Sequence, residues 1–531
     1  MEKSYVNGKF YLGGGRFAEA VSVADGFFRA VGSLDEVTAQ AGTVVDLGGR
    51  VVLPGFNDSH LHLYNLGLMR SSLRLGNCRS VSDCIEAGRT YLVEKNLPAG
   101  EIIVGYSWNQ SNFADETRYL DRHDLDKIST THPIVAYRAC AHIVSCNSLT
   151  LKLCGIGPNT APPQGGEIYR DNSGLPTGVL AENAFDLLKP VLPNYNVNQM
   201  AEIIKSAMDY AVSCGITSVQ TNDIRGENFP QMIAAFNSLY DSGSANLRSY
   251  HQCFFPDSSS FKNFLAAGYT TGRGDDMHKI GPLKMFVDGS LGGRTAAMRL
   301  PYNDAPDTKG ILTMTTEQLD EMVQIAHNSG MSCVVHAIGD AAMDAVLNAY
   351  DKVAGATNPL RHGIIHCQIT DKGILRRMAD KKILALVQPI FLHSDMQILE
   401  SRVGAKLAAT SYAWETMGKL GVPVSFGTDA PVEDINPIEN IHCAVSRQNL
   451  QGLPKEGYNS AERVSLERAI ECYTVESAFA SFEEGKKGRI APGFLADMCV
   501  LDKDIFAASP EDILSVKPAM TIIGGEVAWH D

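Results

Sequence analysis

Val51-Val52-Leu53-Pro54-Gly55-Phe56-Asn57-Asp58-Ser59-His60-Leu61-His62 is the stretch on which the fold turns. An apolar run passes through a Pro-Gly step and ends in two histidines one residue apart. Successive side chains of a β-strand point to opposite faces, so His60 and His62 share one side. Two neutral imidazoles on one side can chelate a divalent ion such as zinc and leave positions open for water. A single His-x-His pair is more often ordinary packing, so its weight depends on what recurs further along the chain.

Seven more segments read as core strands: 216–220, 248–254, 283–287, 332–336, 363–366, 383–388 and 424–428. Helical stripes separate them. Ile203, Ile204, Ala207, Met208, Ala211 and Val212 fall at helical spacing, and Gly215 ends that helix. Thr315, with Gln318 three residues on, predicts an N-cap. Leu319, Met322, Val323 and Ala326 form the stripe that follows, and Gly330 stops it. Alternating helices and near-continuous apolar strands predict a parallel sheet wrapped by helices, class α/β. With 55–62 the count reaches eight, which closes a (β/α)8 TIM barrel.

Polar residues sit at the ends of these strands. Lys284 lies in the fourth, His336 ends the fifth, His366 ends the sixth, and Asp429 follows the eighth. The C-terminal strand ends of such a barrel converge on one opening, where catalysis takes place. Four histidines, a lysine and an aspartate distant in sequence are therefore expected around one metal centre.

The two termini are alike in style, with short β-type runs broken by glycines, and predict one small β-sandwich from residues 1–55 plus 485–531. The barrel occupies 56–484. Residues 80–200 read as an insertion over the barrel mouth, with strand-like runs at 102–106 and 134–137.

The motifs resemble the amidohydrolase superfamily, and more narrowly its YtcJ-like branch, related to N-substituted formamide deformylase. Pro54–His62 carries the first part of the likeness. Lys284-Met285-Phe286-Val287-Asp288-Gly289-Ser290-Leu291, His336-Ala337-Ile338-Gly339-Asp340 and Gly427-Thr428-Asp429-Ala430-Pro431 carry the rest. The resemblance implies two Zn2+ per chain, one on His60 and His62 and one on His336 and His366. It implies that Asp429 binds the first ion and acts as general base. A bridging carboxylate would come from Lys284 as a carbamate formed with CO2, because an ammonium has no lone pair to donate. Glu182 is the alternative bridge, and an uncarboxylated Lys284 paired with Asp288 or with a substrate carboxylate is the alternative for the lysine.

Substrate contacts are expected from Trp108, Asn109, Gln110, His142 and Glu182 in the insertion. Arg294, after a glycine-rich turn, could hold a carboxylate. Asn109 stands where the family often has an acid, Ile365 where a glutamate often precedes the histidine, and Ala141 where a glycine is usual. The expected reaction is hydrolysis of an amide or formamide-type C–N bond, with lactone, ester or cyclic-amide opening as the alternative. A deaminase is disfavoured because Ala337-Ile338-Gly339-Asp340 after His336 lacks the glutamate those relatives carry. No G-x-S-x-G stretch supports a serine mechanism. A binding protein without catalysis on the same fold is the remaining alternative.

A net charge of −14 with no Lys/Arg-rich run excludes an ordinary nucleic-acid face. No window of about 18 apolar residues predicts a membrane span. Twelve scattered cysteines without a C-x-x-C pair read as reduced thiols, and no secretory signal is read at the start. A cytoplasmic protein acting on a small molecule is expected, with no nucleic-acid or membrane partner, and a homodimer is compatible with it.

Overall fold

The computed structural model describes residues 2–531 apart from 39–41, 115, 117, 139–142, 164–165 and 356. The chain divides into two compact units, Met1–Leu63 with Ile204–Asp531, and Tyr64–Ile203.

The first unit holds the barrel. Its strands are β1 (Phe56–Leu61), β2 (Ile216–Thr221), β3 (Arg248–Phe254), β4 (His278–Phe286), β5 (Cys333–Ala337), β6 (Gly363–His366), β7 (Leu384–Val387) and β8 (Val424–Phe426). Each lies beside its sequence neighbour in one eight-stranded sheet, and every pair is parallel. Buried on both faces, the strands carry apolar runs such as Leu384-Ala385-Leu386-Val387, as parallel sheets require. Just beyond β8 the circle closes on β1. Asp429 N donates to His60 O, and His62 N donates to Ala430 O, each at 2.8 Å. Gly427 permits this approach, since a Cβ there would stand 2.6 Å from His60 N.

The helices between strands follow the expected signals. Thr315 and Gln318 form a reciprocal capping box at the start of the helix Thr316–Asn328. That helix buries Leu319, Met322, Val323 and Ala326. Gly330 follows with φ 69°, a left-handed value that costs glycine nothing.

Both termini build the sandwich beside the barrel strands. One sheet orders Phe27–Gly32, Ala20–Ala24, Lys3–Val6 and Thr43–Asp46. The other orders Glu526–His530, Pro518–Ile523, Met498–Leu501, Val51–Pro54, Lys9–Gly13 and Arg16–Ala18. Tyr5, Phe10, Val21, Phe28, Val52, Met498 and Ile522 pack in a common core between them. The C-terminal strands enter only the second sheet, where Met498–Leu501 pairs with Val51–Pro54.

The second unit, Tyr64–Ile203, is wider than the 80–200 expected for an insertion. It has its own six-stranded mixed sheet, ordered Gly166–Arg170, Pro176–Glu182, Ile143–Cys146, Ile134–Arg138, Ile103–Trp108 and Leu73–Arg74. Apolar side chains cover it as two separate clusters, one around Ile103, Trp108 and Leu125, the other around Val135, Leu151 and Leu180. Among the described residues no helix is long and apolar enough to cross a membrane, and the described cysteines are all free thiols.

Candidate metal centre

Each expected barrel ligand lies at a C-terminal strand end, and His60, His366 and Asp429 form one buried cluster whose ligand atoms lie within 4.8 Å of one another. His62 Nε2 lies 3.2 Å from Asp429 Oδ1, and His60 Nε2 lies 3.3 Å from the same oxygen. His336 packs against His366 with ring centroids 4.4 Å apart. Lys284, fully buried, brings its Nζ to 3.4 Å from His60 Nε2.

The other ring nitrogen of each histidine meets an oxygen. His60 Nδ1 lies 2.6 Å from Gln252 Oε1, and His366 Nδ1 lies 2.7 Å from Gln388 Oε1. His336 Nδ1 lies 3.0 Å from Asp288 Oδ1, and His62 Nδ1 lies 3.3 Å from Asn222 O. For His60, His336 and His366 the oxygen acceptor at Nδ1 assigns the proton to that nitrogen and leaves Nε2 a bare lone pair, whereas His62 Nδ1 also faces Arg225 Nη2 at 2.8 Å. Burial, reinforced by the Lys284 charge, pushes His60 down to about 3, so its ring is neutral at neutral pH. Burial also drives His366 well below the usual histidine range.

These donors fit a cation. Asp429 Oδ1 is buried with no well-directed hydrogen bond and faces the Nε2 atoms of His60 and His62. Lone pairs aimed at one another without a proton between them are what a divalent ion neutralises. The backbone supports the same reading. His366 (φ 79°) and Asp429 (φ 56°) hold left-handed values, a strain that persists where surrounding structure enforces it and that gathers at functional sites. Asp58 is one such enforcer, accepting from Thr428 N, Thr428 Oγ1 and His60 N. Burial pushes its carboxyl up to about 7 against those three donors.

Lys284 does not pair with Asp288. Asp288 is committed to His336 Nδ1 and to the backbone N–H groups of Ala297, Ile338 and Gly339. Lys284 Nζ instead stands 4.6 Å over the Phe286 ring, and burial pulls its pKa down to about 7.

The expected substrate residues fare differently. Trp108 is fully buried in the second unit's core and donates Nε1 to Ala136 O, so it is a packing residue and not a substrate contact. A large aromatic in a strand fills a core unless something holds it at the surface. Asn109 and Gln110 both accept from Arg138. Arg294 is held by Asp304 through two nitrogens, at 3.2 and 2.9 Å, so its guanidinium already has a carboxylate. Glu182 is exposed at the end of Pro176–Glu182 in the second unit, and His142 lies outside the described residues.

Sequence reading passed over Gln252, Gln388, Asn222 and Arg225. One of them had a signal: Gln388 is a buried amide directly after the apolar run Leu384–Val387. Gln252→Leu keeps the side-chain volume and removes the oxygen orienting His60. Metal affinity should fall about 10- to 100-fold, the usual effect of losing such a partner, as read by competition with a chromogenic chelator. Unchanged affinity would remove Gln252 from the site.

The chain matches the sequence profile described as "Amidohydrolase family" over residues 43–528. It is 32% identical over 528 residues to the protein described as putative amidohydrolase YtcJ of Bacillus subtilis, covering 96% of each chain. It is 26% identical over 540 residues to N-substituted formamide deformylase of Arthrobacter pascens, covering 97% of this chain and 95% of that one. Among solved structures, an uncharacterised metal-dependent hydrolase from Pyrococcus furiosus matches with a TM-score of 0.79 at 26% identity, covering 96% of this chain and 100% of that one.

Proposed function

This chain belongs to the amidohydrolase family, and from that premise we propose that it hydrolyses a C–N bond of the amide or formamide type. The observation that carries the reading is Asp429 Oδ1, buried without a well-directed hydrogen bond between the Nε2 atoms of His60 and His62. The likeness to N-substituted formamide deformylase supports the amide-type bond over other hydrolysable groups.

His60, His62 and Asp429 would hold one divalent ion, with His336 and His366 holding a second. When bound, such ions, zinc in this reading, make water acidic enough to supply a nucleophile near neutral pH and polarise the scissile carbonyl. Asp429 takes the proton released as water attacks and delivers it to the leaving nitrogen, which must depart as a neutral amine. Gln252 and Gln388 fix the ring planes of His60 and His366 through Nδ1. Lys284 serves the site as a carbamate: its neutral amine adds to CO2 through a new N–C bond and releases one proton. With a pKa near 7 the amine form is present at neutral pH, because burial outweighs the nearby Asp429 charge that favours the ammonium.

Elemental analysis of protein purified with bicarbonate and without added metal tests this arrangement. About two ions per chain are expected, with activity lost on chelation and restored by Zn2+. About one ion would return Lys284 to an amine, and none after metal is offered would sink the site. Turnover of amides and formamides is to be compared with esters and lactones, and preference for the latter would overturn the C–N assignment.

A further inference from the structure

Arg225 stands four residues after β2, at the same barrel end as the metal ligands. Its Nε donates to Asn222 O and its Nη2 to Asn222 Oδ1, both at 3.1 Å. Nη2 also lies 2.8 Å from His62 Nδ1. Among the described residues no carboxylate lies within ion-pair distance of the guanidinium, and Nη1 has no hydrogen-bond partner. A guanidinium does not shed its proton inside a protein, so a partly buried one needs an anion or a full set of acceptors. Arg225 has neither. Its charge also bears on Lys284, a second cation in the same pocket.

The contact with His62 is not a settled one. A neutral imidazole that offers Nε2 to a cation carries its proton on Nδ1, where it can donate to Asn222 O at 3.3 Å but cannot accept from arginine. Nη2 then gives up one acceptor, and with the unused Nη1 presents a planar two-nitrogen fork. That shape matches a carboxylate in bidentate fashion.

We propose that Arg225 binds a carboxylate on the substrate, making the preferred substrates N-acyl or N-formyl α-amino acids. Only the His62 ring separates the guanidinium from Asp429, so the carboxylate must lie a few bonds from the scissile carbonyl, as an α-carboxylate does. The role that sequence spacing suggested for Arg294 thus passes to Arg225, because Arg294 is neutralised by Asp304. This inference rests on the C–N hydrolase reading.

The test uses the metal-loaded full chain with N-formylglycine and N-formylphenylalanine, each against its own carboxamide, which alters the charge and leaves the scissile bond alone. The acids should be preferred by about tenfold or more in kcat/KM, the scale of a charge-assisted pair. Arg225→Gln should erase that preference mainly through KM, Arg225→Lys should restore part of it, and the metal content of both should match the parent. Calorimetric titration with N-acetylglycine adds a readout independent of turnover: binding to the parent protein and its loss in Arg225→Gln. Equal or better use of the carboxamides overturns the proposal. So does an equal loss on acids and carboxamides together with metal loss, which would make Arg225 a positioning residue for His62. If no formamide is hydrolysed while esters are, the C–N reading fails, and the calorimetric comparison still decides the role of Arg225.

Discussion

Asp429→Asn is expected to keep its fold and its metal content and to lose hydrolysis by about 10²- to 10⁴-fold, the range for a positioned general base. The substitution is nearly isosteric, and asparagine tolerates the left-handed backbone at φ 56° as well as aspartate does. The Asp429 N–H to His60 O bond that closes the barrel is a backbone bond and survives. The amide oxygen still has a lone pair for an ion. What disappears is the ability to accept a proton, because an amide oxygen is far too weak a base. The measurement is kcat alongside metal content and thermal midpoint. Activity close to the parent would take Asp429 out of the proton path. Loss of metal would show that the charge of Asp429, and not its basicity, is what the site needs first.

The second large effect concerns stability. Arg248 opens β3 and meets Asp497 through two parallel contacts, Nε to Oδ2 at 2.7 Å and Nη2 to Oδ1 at 2.9 Å. Both residues are buried, at 5% and 4% exposure. Asp497 also accepts from Gly524 N, and its carbonyl accepts from Gly55 N one residue before β1. One ion pair therefore ties the base of the barrel to the segment that leads into the last sandwich strands. Arg248→Leu leaves the carboxylate buried without its cation and should cost about 3–5 kcal/mol, the usual result of breaking a buried pair from one side. At about 1 °C per kcal/mol for a chain of 531 residues, the thermal midpoint should drop by roughly 3–5 °C. Arg248→Leu with Asp497→Leu should recover much of that loss, since the pair's attraction is largely spent on its own desolvation. A double variant as unstable as the single one would mean that the Asp497 contacts to Gly524 matter more than its charge.

Much of the architecture is legible in the chain. His60 and His62 share a side because a strand has period two, and that follows from local geometry alone. His336, His366 and Asp429 were placed by counting strands, since each apolar run ends in its polar residue. Thr315 with Gln318 marks a helix start because both partners of a capping box lie within one turn. Local rules suffice where the interacting groups are close in sequence or where a repeating fold fixes their position.

Other features depend on pairs that only barrel closure creates. Gln252 meets His60 across 192 positions, and Asp288 meets His336 across 48. No spacing rule predicts such partners, because the distance between them is set by strand order and register. The same holds for charge. Arg294 and Arg225 look equally free in sequence, yet Asp304 forms a direct ion pair with one, while Asp223 and Asp429 act on the other only at a distance. Trp108 reads as a ligand-facing aromatic until its sheet exists to bury it. The chain by itself thus determined the barrel, the sandwich and the strand-end places of the candidate ligands, through periodicity and strand count. The tertiary structure alone decided which ring nitrogens face the centre, which cations are neutralised and which aromatics are core. Hydrogen bonding, ion pairing and burial are contacts in space, and only the closed barrel and its sheets bring those groups within reach of one another.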